Sequence, residues 1–136
     1  MRFLPTKIHG IFDYVGGVAL ILAPMIFRFE HVGGPAVMIP RIMGVVLIAY
    51  SLLTQYEWGL LKVLPMPYHL VIDFAASLFL AISPWLFGFR HDMLNAWLPH
   101  VVLGVAVIGL VLVSKTEPAK QATPVKAFQY NTSDTF

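Results

Sequence analysis

The sequence predicts an all-α membrane protein: four transmembrane helices built as two tandem two-helix repeats, related by a pseudo-twofold axis along the membrane normal. Three observations lead there. The 136 residues are 58% apolar and only 12% charged, against about 25% charged in soluble domains, and the mean hydropathy is +0.77. Four apolar stretches are long enough to cross a hydrocarbon layer of about 30 Å, which takes roughly 20 helical residues. Finally, residues 9–31 align without gaps on residues 69–91, at an offset of 60.

The first span runs from about Ile8 to Phe27. Arg2 and Lys7 precede it as they would a signal peptide. Asp13 interrupts the apolar run and no small-x-small cleavage site follows, so the segment is expected to stay in the membrane. The second span runs from about Ala36 to Leu53, with Pro40 and Arg41 near its start. The third covers about Tyr68 to Phe89 and the fourth about Ala96 to Val113. None alternates with period two, which disfavours a β-barrel. A soluble bundle needs a polar outer face on each helix, and Val45–Ala49 and Val101–Val113 offer none. Pro5, Gly33-Gly34-Pro35 and Pro65-Met66-Pro67 punctuate the spans. The organisation is therefore a transmembrane domain over residues 1–114, with repeats at about 8–54 and 68–114, and a polar tail over 115–136 with no assigned role.

Orientation follows from the basic residues. One side carries Arg2, Lys7, Lys62, Lys115, Lys120 and Lys126, and the other carries Arg28, Arg41 and Arg90. This bias predicts both termini, and the tail, in the cytoplasm of a bacterial inner membrane. Tyr56, Trp58, Trp85 and Trp97 fall near span ends, where aromatic belts form.

In the aligned segments His9 matches His69, Asp13 matches Asp73, Pro24 matches Pro84 and His31 matches His91, together with Leu20/Leu80, Phe27/Phe87 and Phe29/Phe89. The second half of the repeat is looser, with Ile39-Pro40 resembling Leu98-Pro99 after a one-residue slip, and Gly44 matching Gly104. Two spans return the chain to its starting side, so both copies share one orientation. Ser83-Pro84-Trp85 followed by Leu86-Phe87-Gly88-Phe89 resembles the signature of the SPW-repeat family of small bacterial membrane proteins. The resemblance covers about residues 8–114. It implies a two-helix repeat with the motif in its first helix, and it implies no reaction. The first copy reads Ala23-Pro24-Met25 and keeps only the proline.

Asp13 and Asp73 lie at matching depth, where a carboxylate costs at least roughly 2.5 kcal/mol at mid-membrane and somewhat less nearer the interface. His9 and His69 sit four residues earlier, on the same helical face, and are expected to offset that cost. The stripe continues through Gly16 and Gly17 in one copy and Ala76 and Ser77 in the other. Small residues let membrane helices approach, so spans one and three are expected to pack near the axis with both polar pairs facing inward. Pro24 and Pro84 are expected to kink or end their helices. Ser83 is expected to bond a freed carbonyl, and Trp85 suits the outer interface. Arg28, Glu30, His31 and Arg90, His91, Asp92 mark the outer loops, which are expected to be solvated, with a cross-repeat ion pair between Glu30 and Arg90 as the alternative and one that would contribute little; His100 reads as an interfacial group.

Much chemistry is excluded. Without cysteine there is no thiol nucleophile, disulfide or iron–sulfur site. No zinc motif, phosphate-binding glycine loop, nucleophile elbow or catalytic carboxylate pair appears, so no metal, cofactor or enzymatic activity is expected. The basic residues form no stripe for nucleic acid. The expected partners are the lipid bilayer and a second copy or a larger membrane complex. The preferred function is a structural or accessory one through helix–helix association. A small proton-coupled transporter or channel using the two His/Asp pairs is the alternative. A haem- or quinone-linked redox subunit stands third, since His9 and His69 share a depth whereas His31 and His91 fall outside the hydrocarbon.

Overall fold

The computed structural model describes residues 1–119 and consists of four long helices. Helix α1 spans Thr6–Ile26, α2 Gly34–Leu53, α3 Met66–Leu86 and α4 Leu94–Val113. All four are long and apolar enough to cross a membrane, with mean hydropathies of 1.5, 2.0, 1.6 and 2.3. Among the described residues the β-structure is limited to two isolated bridges. The tail expected over 115–136 falls largely outside the described residues.

The duplication is explicit in the helix bounds. Helices α3 and α4 begin and end 60 residues after α1 and α2. Pro5 and Pro65 precede α1 and α3 with matching extended backbone, ψ 146° and 143°. Each proline carbonyl then accepts from the amides three and four residues on, which starts the helix without a side-chain cap. At the far ends the chain turns through Arg28 (φ 57°) in one copy and Gly88 (φ 79°) in the other. Both occupy the left-handed conformation that commonly closes a helix and that glycine adopts at least cost. The bridges repeat too: Thr54 pairs with Leu64 inside the central linker, and Leu4 pairs with Ser114 across the two ends. The second bridge places the start of α1 and the end of α4 on one face of the bundle.

The helices of each hairpin touch at their backbones. A Cβ on Gly104 would lie 2.6 Å from the Ser77 carbonyl oxygen, and one on Gly17 would lie 2.6 Å from Ile48 Cγ1 and 3.1 Å from the Gly44 carbonyl oxygen. The small residues on α1 and α3 therefore serve the contact within each hairpin. The expectation that they bring α1 against α3 is corrected: those helices meet through longer polar side chains. Leu20, Leu80, Ile39 and Phe89 form an apolar core near the loop end, and Met66, Leu70, Tyr56 and Val111 form one at the terminal end. The outside is apolar as well, with Val15, Ile42, Val45, Val71, Val102 and Val105 each more than half exposed. An outer surface of this kind is matched by lipid.

The prolines do not end their helices at once. Helices α1 and α3 run two residues past Pro24 and Pro84. Pro84 leaves the Leu80 carbonyl without its helical donor, and Ser83 Oγ donates to that oxygen at 2.8 Å. Ala23 fills the equivalent buried place in the first copy, so the space demands a small residue in both halves and a hydroxyl in only one. Trp85 is exposed and packs on Trp97 at 6.3 Å. The Arg90 guanidinium lies 5.8 Å and 5.4 Å from those two rings. In the exposed outer loop Glu30 pairs with Arg41 of its own repeat rather than with Arg90. His100 is also corrected: it is buried, 5.7 Å from the Phe29 ring and 4.9 Å from the Phe89 ring. The Ala36 and Ala96 carbonyls lie near its nitrogens, but neither is aligned for a hydrogen bond.

Candidate functional site

The polar stripe of α1 and that of α3 meet between the hairpins, at the terminal end of the bundle. His9, Asp13, His69 and Asp73 are all buried, at 0%, 4%, 0% and 3% exposure. His9 Nε2 lies 3.0 Å from Asp73 Oδ2 and 3.3 Å from Asp13 Oδ1. His69 Nε2 lies 3.1 Å from Asp13 Oδ2 and 3.0 Å from Asp73 Oδ2. Each imidazole thus contacts its own helix's acid and the acid of the other repeat. The pairing expected within each helix becomes a four-membered cluster across the axis.

The outer edge of each ring is anchored in the same way. Thr54 Oγ1 bonds the Tyr50 carbonyl at 2.8 Å and His69 Nδ1 at 2.7 Å. Ser114 Oγ bonds the Leu110 carbonyl at 2.6 Å and His9 Nδ1 at 2.7 Å. Residues 54 and 114 are again 60 apart. A carbonyl only accepts, so each hydroxyl spends its proton there and must accept from the imidazole. Both Nδ1 atoms therefore carry hydrogen, and both Nε2 atoms face the carboxylates.

Proton accounting follows from this assignment. A buried cluster with net charge is costly, and neutrality requires two protons shared among two Nε2 atoms and two carboxyl groups. They sit on the rings as imidazolium–carboxylate pairs or on the acids as neutral pairs. Tyr50 donates to Asp73 Oδ1, and Tyr56 donates to Asp13 Oδ2 at 3.1 Å. His9 Nε2 and Asp73 Oδ2 share an aligned hydrogen bond at 3.0 Å, whichever of them carries the proton. His69 Nε2 has two oxygens within 3.1 Å, but neither lies along the in-plane direction of that nitrogen, so it lacks an aligned partner. Tyr56 lies in the linker beyond α2. Burial, and secondarily the Asp13 carboxylate, push its phenol above the usual tyrosine range.

An apolar cavity of about 190 Å³ adjoins the cluster toward the middle of the bundle. Asp13, Asp73, Tyr50 and Ser77 form its polar end, and Leu20, Leu47, Leu80, Leu103 and Val107 line the rest. Toward the loop end the lining passes through Leu20, Leu80 and Leu103, beyond which the next polar side chain is the buried His100. The His9 and His69 rings stand edge to face at 5.5 Å with both carboxylates against their Nε2 atoms. That packing leaves no slot for a porphyrin between them. Pro24, Ser83, Pro84 and Trp85 lie at the opposite ends of their helices, about 16 Å away at the helical rise of 1.5 Å per residue, and do not join the cluster.

The sequence pattern did not point to Tyr50, Thr54, Tyr56 and Ser114. Thr54 and Ser114 keep the repeat offset but lie outside the aligned segments. Tyr56 reads as a belt aromatic, whereas it is 2% exposed and directed at Asp13.

Four apolar helices, a duplicated hairpin and a polar cluster sealed at the repeat interface define a multi-pass α-helical membrane protein. The chain belongs to the SPW repeat family, whose SPW repeat domain matches residues 7–114. Neither a curated protein nor a solved structure matches it.

Proposed function

We propose that this is a non-enzymatic structural or accessory protein of a bacterial inner membrane, with both termini in the cytoplasm, acting by association with itself or with a larger complex. In this reading the His–Asp cluster is a clamp. One observation carries it: the two hairpins, each packed closely within itself, are joined by bonds between His9 and Asp73 and contacts between His69 and Asp13. In a bilayer apolar side chains gain little by leaving lipid, so hydrogen bonds and close packing hold helices together. A cluster that is buried, satisfied almost throughout and closed off from the far side by Leu and Val side chains suits holding better than conduction.

Two experiments test this. In proteoliposomes carrying a pH gradient and an internal pH dye, the protein is expected to dissipate the gradient no faster than empty vesicles. Proton flux that Asp73→Asn abolishes would replace the clamp by the transporter. The chain has no cysteine, so Arg2→Cys and Glu117→Cys report topology directly. Both are expected to react with an impermeant maleimide only from the cytoplasmic face.

A further inference from the structure

We propose that His9, Asp13, His69 and Asp73 together ligate one divalent cation, zinc or a metal of similar size and softness. The proposal deepens the clamp reading, on which it rests for the role of the site. One ligand atom from each residue can be chosen so that all four lie within 4.8 Å of one another. Zinc bonds imidazole nitrogen and carboxylate oxygen at about 2.0–2.2 Å in a tetrahedral shell, whose edges are then about 3.3–3.6 Å. Asp73 Oδ2 lies 3.0 Å from both imidazole nitrogens, whereas Asp13 meets His9 through Oδ1 at 3.3 Å and His69 through Oδ2 at 3.1 Å. With the four ligand atoms spread over as much as 4.8 Å, ring and carboxylate movements of up to about 1 Å bring them to the tetrahedral edge that zinc requires.

Three further features belong to a metal site rather than to a plain ion-pair clamp. Both imidazoles donate their Nδ1–H to a hydroxyl, Ser114 or Thr54. That orients the ring and leaves Nε2 to bind, the arrangement ligating histidines usually have. Tyr50 and Tyr56 donate to the two carboxylates, as groups outside a metal's own ligands commonly do. His69 Nε2 is wholly buried and aimed into the cluster without an aligned acceptor, and a cation would supply its missing partner. Charge agrees as well. A dication with two carboxylates and two neutral imidazoles is neutral overall, and among the described residues no lysine or arginine forms a salt bridge with the cluster. Two nitrogens and two oxygens suit zinc and its neighbours over calcium or magnesium, which prefer oxygen alone. No spacing motif announces the site, because each repeat contributes only His-x-x-x-Asp and the fold brings the halves together.

The test uses the full-length protein in mild detergent, without a histidine tag, stripped with a chelator and titrated with Co²⁺ alone. One equivalent is expected to bind, with the visible absorption of a four-coordinate site, and equimolar Zn²⁺ should bleach it. Tm should rise by several degrees on loading. His31→Ala with His91→Ala removes exposed imidazoles and should leave binding unchanged. Thr54→Ala and Ser114→Ala should each weaken it about 10–100-fold, the usual cost of losing a ring-orienting partner, and Asp73→Asn should weaken it more. A wild-type protein that stays helical and monodisperse but shows no stoichiometric Co²⁺ absorption overturns the proposal. So does uptake that Asp73→Asn leaves unaltered. If Asp73→Asn does not fold, the wild-type titration decides alone. The clamp is judged separately, by the stability of Asp73→Asn in chelator. Lost stability without wild-type cobalt binding retains the clamp and removes the metal, and cobalt binding with unchanged variant stability does the reverse.

Discussion

Asp73→Asn is the sharpest probe of what joins the two hairpins. Asp73 accepts from Tyr50 through one oxygen, is hydrogen-bonded to His9 Nε2 at 3.0 Å through the other, and faces His69 Nε2 at 3.0 Å. Three polar contacts therefore converge on one buried carboxyl group. In water-soluble proteins a hydrogen bond to a charged group contributes about 1.5–3 kcal/mol. In membrane helices, measured polar contacts average about 0.6 kcal/mol and reach about 1.7. The membrane values govern here, and three contacts then total about 2–5 kcal/mol. Asparagine keeps one acceptor oxygen, presents an NH₂ group where the second oxygen was and carries no charge, so it cannot accept on both the Tyr50 side and the imidazole side as the carboxylate can. The variant should therefore lose most of that sum. Reversible unfolding in mixed micelles with a chelator present, followed by tryptophan fluorescence, measures it. Tyr50→Phe removes one of the three contacts and should cost about 0.6–1.7 kcal/mol. Asp73→Asn within about 0.5 kcal/mol of wild type, a change typical of inconsequential surface substitutions, would refute the clamp.

Other substitutions test the rest of the architecture. Gly104→Ala would drive a methyl group against the Ser77 and Ala81 backbone and should lower stability by about 1–3 kcal/mol. Gly109→Ala meets nothing within 4 Å and should be neutral or stabilising by up to about 1 kcal/mol; both are read by the same unfolding assay. Arg28→Gly should raise Tm, because it gives the first copy the residue that the second already has at this left-handed position, with a gain of about 1 kcal/mol. Tyr56 has its phenol pKa raised by burial. Its contribution to stability is then intact below the unfolded tyrosine value near 10 and declines as pH rises above it. Tyr56→Phe should flatten that alkaline decline in Tm, and an unaltered slope would show that the phenol is not held neutral by the fold.

The spans were legible because hydrocarbon demands long apolar helices, and the helix bounds fall within a few residues of the hydropathy reading at each end. The repeat was legible because His, Asp and Pro are rare enough in such sequence for their coincidence at one offset to stand out. The site was half legible. Spacing of four residues put His9 with Asp13, and His69 with Asp73, on one face of each helix. It carried no information on which acid crosses to which imidazole, a choice set by how the hairpins pack. The glycine stripe was ambiguous for the same reason, since a small residue invites close approach without naming the neighbour. Gly17 meets α2 of its own hairpin. Thr54 and Ser114 were hidden by their position at the last helical turn, where hydroxyls are ordinary and the alignment had already ended.

The bridge between Leu4 and Ser114 has a topological consequence. Because the two ends pair as Thr54 and Leu64 do within the central linker, the bundle is a ring that happens to be cut at one of two equivalent seams. Opening the chain near Gly59 and ligating residue 117 to residue 3 should regenerate the same four helices. By the same logic, a single hairpin of half this length carries one imidazole, one acid and one hydroxyl anchor, and two such hairpins side by side would assemble the whole centre between them.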